Sequence, residues 1–245
     1  MKMTRKLQST MMIGLLAVGL TSLSAVAVAD EGVVRAKLSY GLSYYTSPSL
    51  NGDTTTTYPS FGLGVTYIFP TNIFADFSMK TSGSGASYNA SNLSGGLVNS
   101  DQSFKRTENT LTIGKPLENG MQGNVGLFNN ETVFNLDTLG QLSQKMTGLT
   151  AGMGKGIPLD EGRSGAIGIN GAAALLTATS TAANGVTSSS NLAYGISAGV
   201  SYNYMFTKNI GFSADAKFQS YFIKYSSFSG DERILSTTVA LVGQY

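Results

Sequence analysis

The sequence predicts an all-β protein, a transmembrane antiparallel up-and-down β-barrel of ten strands, with eight strands as the alternative. Three observations predict it. Apolar residues recur at every second position through most of the 245-residue chain, and the 3.6-residue period of a helix is hard to find. The segments that carry this alternation are joined by connections that run long, short, long, short. Beyond the N-terminal region, no stretch is both apolar and long enough for a membrane helix.

The N-terminal region stands apart from the rest. Met1 to Thr10 carries Lys2, Arg5 and Lys6 and leads into MMIGLLAVGL, Met11 to Leu20, an apolar run too short to cross a bilayer as a helix. Ala25, Ala27 and Ala29 supply small residues at cleavage positions. Residues 1–29 are therefore expected to be a cleaved signal peptide, and residues 30–245 a single barrel domain. Taking those three bases from the 16 in the chain leaves 13 against 14 acids, so the apparent basicity belongs to the leader. The remaining lysines and arginines are scattered singly, which argues against a nucleic-acid partner. Without cysteine there is no disulfide framework, thiolate metal site or lipidated cysteine.

The first strand is expected over 33–45, where Val34, Ala36, Leu38, Tyr40, Leu42 and Tyr44 share one face and Arg35, Lys37, Ser39, Gly41 and Ser43 the other. The second, 58–69, sets Phe61, Leu63, Val65, Tyr67 and Phe69 against Ser60, Gly62, Gly64 and Thr66. The next six fall at 73–81, 104–115, 121–129, 143–156, 165–177 and 192–206. The ninth, 210–221, separates Ile210, Phe212, Ala214, Ala216 and Phe218 from Ser213, Asp215, Lys217 and Gln219, and the tenth covers 232–245. Long polar connections are expected at 46–57, 82–103, 130–142, 178–191 and 222–231, and tight ones at 70–72, 116–120, 157–164 and 207–209. Two tight turns share the frame Tyr-x-Phe-x-x-Asn-Ile, in YIFPTNI at Tyr67 to Ile73 and YMFTKNI at Tyr204 to Ile210. Their aromatic residues fall where a membrane-interface belt belongs. A second echo links GKPLENG, from Gly114, with GKGIPLDEG, from Gly154.

Hydrocarbon offers no hydrogen-bond partner, so a sheet that crosses it has to close on itself. The oily face would then meet lipid. The other face, of Gly, Ser, Thr, Asn and isolated charges, would line the lumen, where small residues such as Gly62, Gly64, Gly148 and Gly199 let the wall curve. Arg35, Lys37, Asp76, Lys80, Glu108, Asp215 and Lys217 fall on this wet face. Lone charges in a narrow lumen are costly, so Asp76 and Asp215 are expected to pair with Arg35, Lys37, Lys80 or Lys217. The set reads as a plug of salt bridges, or as the charged constriction of a small pore.

The terminal segment LSTTVALVGQY resembles the C-terminal strand of bacterial outer-membrane β-barrel proteins, with Tyr245, Leu241 and Val239 at the positions read by the barrel-assembly machinery. YMFTKNIGFSADAKF is similar to the penultimate hairpin of the small OmpA-like barrel family, and the matching regions together cover about a quarter of residues 30–245. The resemblance implies that the last strand pairs with the first. It also implies a place in the outer membrane of a Gram-negative bacterium, among outer-membrane lipid and lipopolysaccharide. The assembly machinery and periplasmic chaperones would be partners in biogenesis.

Catalysis is not expected. The chain has no histidine, so its resemblance to barrel proteases, phospholipases and lipid A modifying enzymes fails at their histidine base. The Gly-Lys pairs lack phosphate-loop spacing, and the turns at Asp160-Glu161 and Asn51 to Asp53 lack the alternating acids of a calcium loop, so no cofactor or metal is expected. The expected function is a structural or surface role. A small diffusion pore for ions or small solutes is the alternative. An adhesin using its loops on a host ligand, with 82–103 a mobile surface loop, is a further one.

Overall fold

The computed structural model describes residues 32–49, 51–83, 85–159, 164–182, 184–226 and 229–245. The expected signal peptide and the Asp160-Glu161 turn lie outside the described residues. Twelve strands follow one another in the chain: β1 (Val33–Ser47), β2 (Thr54–Ile68), β3 (Phe74–Ser82), β4 (Ser87–Asn89), β5 (Asp101–Pro116), β6 (Met121–Asn135), β7 (Gln141–Pro158), β8 (Gly165–Thr181), β9 (Thr187–Ser189), β10 (Leu192–Met205), β11 (Ile210–Lys224) and β12 (Ser229–Gln244). Ten of them are staves of one closed antiparallel barrel, which settles ten against eight. The two short strands, β4 and β9, belong to connections and pair only with β5 and β8 respectively.

Every stave pairs with its neighbours in the chain, and β12 returns to β1 with Leu38 opposite Leu241 and Tyr40 opposite Val239. Val34 and Tyr245 exchange reciprocal backbone hydrogen bonds of 2.9 Å, so the seam is paired up to the last residue. No open edge remains along the wall. The oily face points outward: Leu38, Tyr40, Leu42 and Tyr44 on β1 stand about half exposed, as do Leu63, Leu127, Ile169 and Leu241 on other staves. In water such a girdle would be unstable, and in hydrocarbon it is the required surface.

The echoed turns have the same construction. Phe69 donates its N–H to the Ile73 carbonyl at 2.8 Å, and Phe206 does so to Ile210 at 2.9 Å. In each copy the Tyr and Phe rings meet edge-on, at 4.6 Å for Tyr67 and Phe69 and 5.5 Å for Tyr204 and Phe206. Asn72 adopts a left-handed φ of 61°, a conformation that asparagine tolerates better than most residues. In the second echo, Leu117 donates to Met121 and Leu159 to Gly165 across their turns.

At the opposite end the staves run further than alternation suggested. The expected 130–142 loop shrinks to 136–140, because β6 continues to Asn135 and β7 begins at Gln141; 46–57 likewise shrinks to 48–53. The described residues of segment 82–103 form a folded cap, where the sequence suggested a mobile surface loop. It contains β4 and a single helical turn, α1 (Ser91–Ser94), and it buries Ala86, Tyr88, Ala90 and Val98. The Thr56 hydroxyl bonds the Ser87 carbonyl, and Asn92 bonds the Asp53 carbonyl at 2.7 Å. These segments read as loops because their outward residues, Thr55, Thr57, Lys105, Asn129 and Lys145, are polar where the lower staves are apolar.

Lumen glycines mark where the wall bends. A Cβ on Gly148 of β7 would be driven into the backbone carbonyl of Leu175 on β8, which cannot yield as a side-chain tip can. Gly148→Val is expected to cost about 3 kcal/mol or more, the upper range for overpacking. The measurement is the fraction of protein that runs as the compact, heat-modifiable band after refolding into vesicles.

Candidate functional site

The barrel interior divides into two layers of opposite character. Near the turns it is wet. Threonine, serine, asparagine and glutamine side chains surround a cavity of about 590 Å³ that reaches the turn end, where Asn72, Pro116 and Gln122 are exposed at its rim. A second recess of about 230 Å³ lies beside it, and the two share Asn170, Lys217 and Gln219 in their walls. Alternation places these polar residues inward because their chain neighbours occupy the girdle.

The residues singled out in the sequence fall into this layer with distinct partners. Lys37 meets Asp215 at 2.6 Å across the interior, joining β1 to β11. Arg35 Nε donates to Gln244 Oε1 at 2.8 Å near the seam. Asp76 takes the Thr66 hydroxyl at 2.6 Å, with no basic group within 4.0 Å of it among the described residues, so its expected ion pair does not form. Lys80 donates to Ser43 Oγ at 3.2 Å. Glu108 accepts from Gln219 Nε2 at 3.5 Å and lies 3.9 Å from Arg106. Lys217 lines both cavities and has no acid within 4.0 Å among the described residues. Tyr245, Leu241 and Val239 lie on the outer wall, each more than half exposed.

Toward the loop end the interior turns apolar. Tyr45, Tyr58, Phe104, Phe134, Met146 and Ile234 project inward and are buried, with Phe128 and Tyr221 below them. Tyr88 enters from the cap and meets Phe134 edge-on at 5.0 Å. Phe104 lies 5.4 Å from Tyr45, 5.0 Å from Tyr58 and 5.5 Å from Phe134, so four rings fill one cross-section. The layer has a protein-like core, and on β2, β5, β6 and β7 its outward neighbours are polar, among them Thr57, Lys105, Asn129 and Lys145, while Tyr44 and Leu235 keep apolar patches on β1 and β12. This end of the barrel therefore stands in water, above the hydrocarbon.

An ion pair crosses this aromatic layer. Arg106 Nη1 contacts Glu232 Oε1 at 2.8 Å and the Thr132 hydroxyl at 2.8 Å, and its Cζ lies 4.9 Å from the centre of the Tyr45 ring. Tyr45 Oη donates to the other Glu232 oxygen at 3.1 Å. Both charged side chains are nearly inaccessible, at 3% and 2% exposed. In the cap, burial pushes the Tyr88 phenol up to about 12, and its hydroxyl donates to the Asn135 carbonyl at 2.7 Å. Burial, aided by Glu232, also raises Tyr225 to about 12.

The sequence reading missed Arg106 and Glu232. The signal was present, since Arg106 shares parity with Glu108 and Glu232 shares parity with Ser236 and Thr238, both on inward positions. The Asn51 to Asp53 turn, weighed for calcium, is tied to the cap, with Asn51 Nδ2 donating to the Asn92 carbonyl at 3.1 Å.

No family model and no curated protein sequence matches this chain. Similar solved structures are outer-membrane barrels. One is the outer membrane protease OmpT from Escherichia coli, at 9% identity and TM-score 0.49, over 88% of this chain and 96% of that one. Neisserial surface protein A follows at 12% and 0.41, over 87% and 97%. The Pseudomonas putida toluene transporter TodX shows 7% and 0.35, over 89% and 90%. At these distances none of them bears on what this chain does.

Proposed function

We propose that this chain is a non-enzymatic integral outer-membrane protein of a Gram-negative bacterium, with a structural or surface role and a sealed barrel. The observation that carries this reading is the aromatic layer: Tyr45, Phe104 and Phe134 are at most 4% exposed and occupy the interior where a pore would need water. The outward girdle supports the membrane placement. Outer-membrane lipid would surround the apolar staves, with lipopolysaccharide beside the polar collar. During biogenesis the chaperones and assembly machinery would take up the terminal strand through Tyr245, Leu241 and Val239.

The experiment is a planar-bilayer recording on protein whose heat-modifiable migration shows it folded. Silent bilayers are expected, and ohmic steps from the unaltered protein would replace this reading with the diffusion pore. A contact role for the outer end draws support from two apolar side chains exposed there, Leu97 at 78% and Val186 at 60%. Because Ala86, Tyr88, Ala90 and Val98 pack into the aromatic layer, point substitutions such as Leu97→Asp test that role, whereas deleting their segment would also disturb the core.

A further inference from the structure

The polar recess carries an unequal set of charges. Among the described residues, the interior from the recess up to the aromatic layer holds four cations, Lys37, Lys80, Lys217 and Arg106, and three anions, Asp215, Glu108 and Glu232. Asp215 is committed to Lys37 at 2.6 Å and Glu232 to Arg106 at 2.8 Å. Glu108 alone is left to offset both Lys80 and Lys217, and it lies within 4.0 Å of neither. Arg35 and Asp76 sit lower, in the wall of the larger cavity, and balance each other in sign. One ammonium group in excess, in a solvated recess whose low-dielectric wall focuses its field, draws an anion into the recess.

The surroundings suit an oxyanion. Ser39, Ser78, Ser236 and Thr238 bring hydroxyl donors to the recess wall, and Asn170 brings an amide. Gly64 leaves part of this space open by carrying no side chain, whereas Gly62 and Gly199 make room for Ser39 and Asn170. A Cβ on Gly64 would meet Lys37, Phe77 and Ser78 only at ordinary contact distances of 3.6 Å or more. Access comes from the turn end, through the cavity of about 590 Å³ that shares Lys217 with the recess.

We propose that the recess is a binding site for a small, singly charged oxyanion of the carboxylate or phosphate class, held between Lys217 and Lys80. Sealing of the loop end plays no part in this claim, so a conducting barrel would leave it standing.

The test is titration calorimetry on the folded, detergent-solubilised full chain, with acetate and inorganic phosphate as separate probes. One saturable site is expected for at least one probe, and which one responds identifies the class. Lys217→Gln should weaken it by about tenfold or more, the loss of one charge-assisted contact. Lys217→Arg should retain it, and the outward-facing Lys115→Gln should leave it unchanged. No saturable binding by either probe, or equal binding by Lys217→Gln, overturns the proposal. If Lys217→Gln fails to fold, Lys80→Gln removes the other cation of the proposed pair. Binding should then weaken likewise, and its persistence unchanged places the anion elsewhere.

Discussion

Arg106→Ala is expected to destabilise the barrel by about 3–5 kcal/mol, because it strands the Glu232 carboxylate in a layer with almost no access to water. Glu232 would keep the Tyr45 hydroxyl, at 3.1 Å, as a hydrogen-bond donor, which does not neutralise a charge. Glu232→Gln should cost less, since the amide still accepts from Tyr45 while the guanidinium retains Glu108 at 3.9 Å. The informative control is the double variant Arg106→Met with Glu232→Leu. Replacing a buried pair with apolar side chains of similar volume is commonly neutral or stabilising, so the double variant should recover most of the loss. Urea unfolding in vesicles, followed by the shift between compact and unfolded bands, measures all three. If Arg106→Ala matched the parent protein within 1 kcal/mol, roughly the effect of an exposed pair, the layer would not be dry.

The second large effect is a gain of conductance. Phe104→Ala, Phe134→Ala and Tyr45→Ala combined would remove three of the four rings that fill one cross-section of the barrel, leaving Tyr58, and would join the lower cavity to the loop end. Each truncation costs about 3–5 kcal/mol of core packing, but the girdle and the closed hydrogen-bond ring that hold the barrel in hydrocarbon are untouched. Ohmic steps should appear where the parent is silent. Because Lys37 and Lys217 would then line the path, Lys217→Glu on this background should shift selectivity toward cations. A folded triple variant that stays silent would mean that Tyr58 together with the cap residues, Tyr88 above all, is enough to seal the barrel.

Much of this architecture was legible in the sequence, and the part that was not has a specific cause. Period-two alternation gives the parity of each side chain, so the girdle on β1 and the lumen glycines followed from it, while the pairing of β12 with β1 followed from the resemblance of the terminal segment. Parity does not say which medium lies on either side. Below the collar, outside means lipid and inside means water; above it outside means water and inside means packed protein, and a strand with Thr55, Thr57 or Asn129 outward looks like a polar loop. The clue was aromatic residues at the loop end of wet faces. Tyr45 follows Ser43, Tyr58 precedes Ser60, Phe104 precedes Arg106, and Tyr221 follows Gln219, each continuing the lumen parity. The Lys37–Asp215 pair was predictable as a type, but its choice over the other combinations depended on strand stagger, which no local pattern encodes.

The blocked upper layer has a consequence for supply. With the only wide approach among the described residues at the turn end, whatever occupies the chamber comes from the compartment those turns face. In the proposed orientation that compartment is the periplasm. Molecules in the surrounding medium would have to be imported by some other route before this protein met them, so the chamber samples the cell's own contents while the collar meets the outside world.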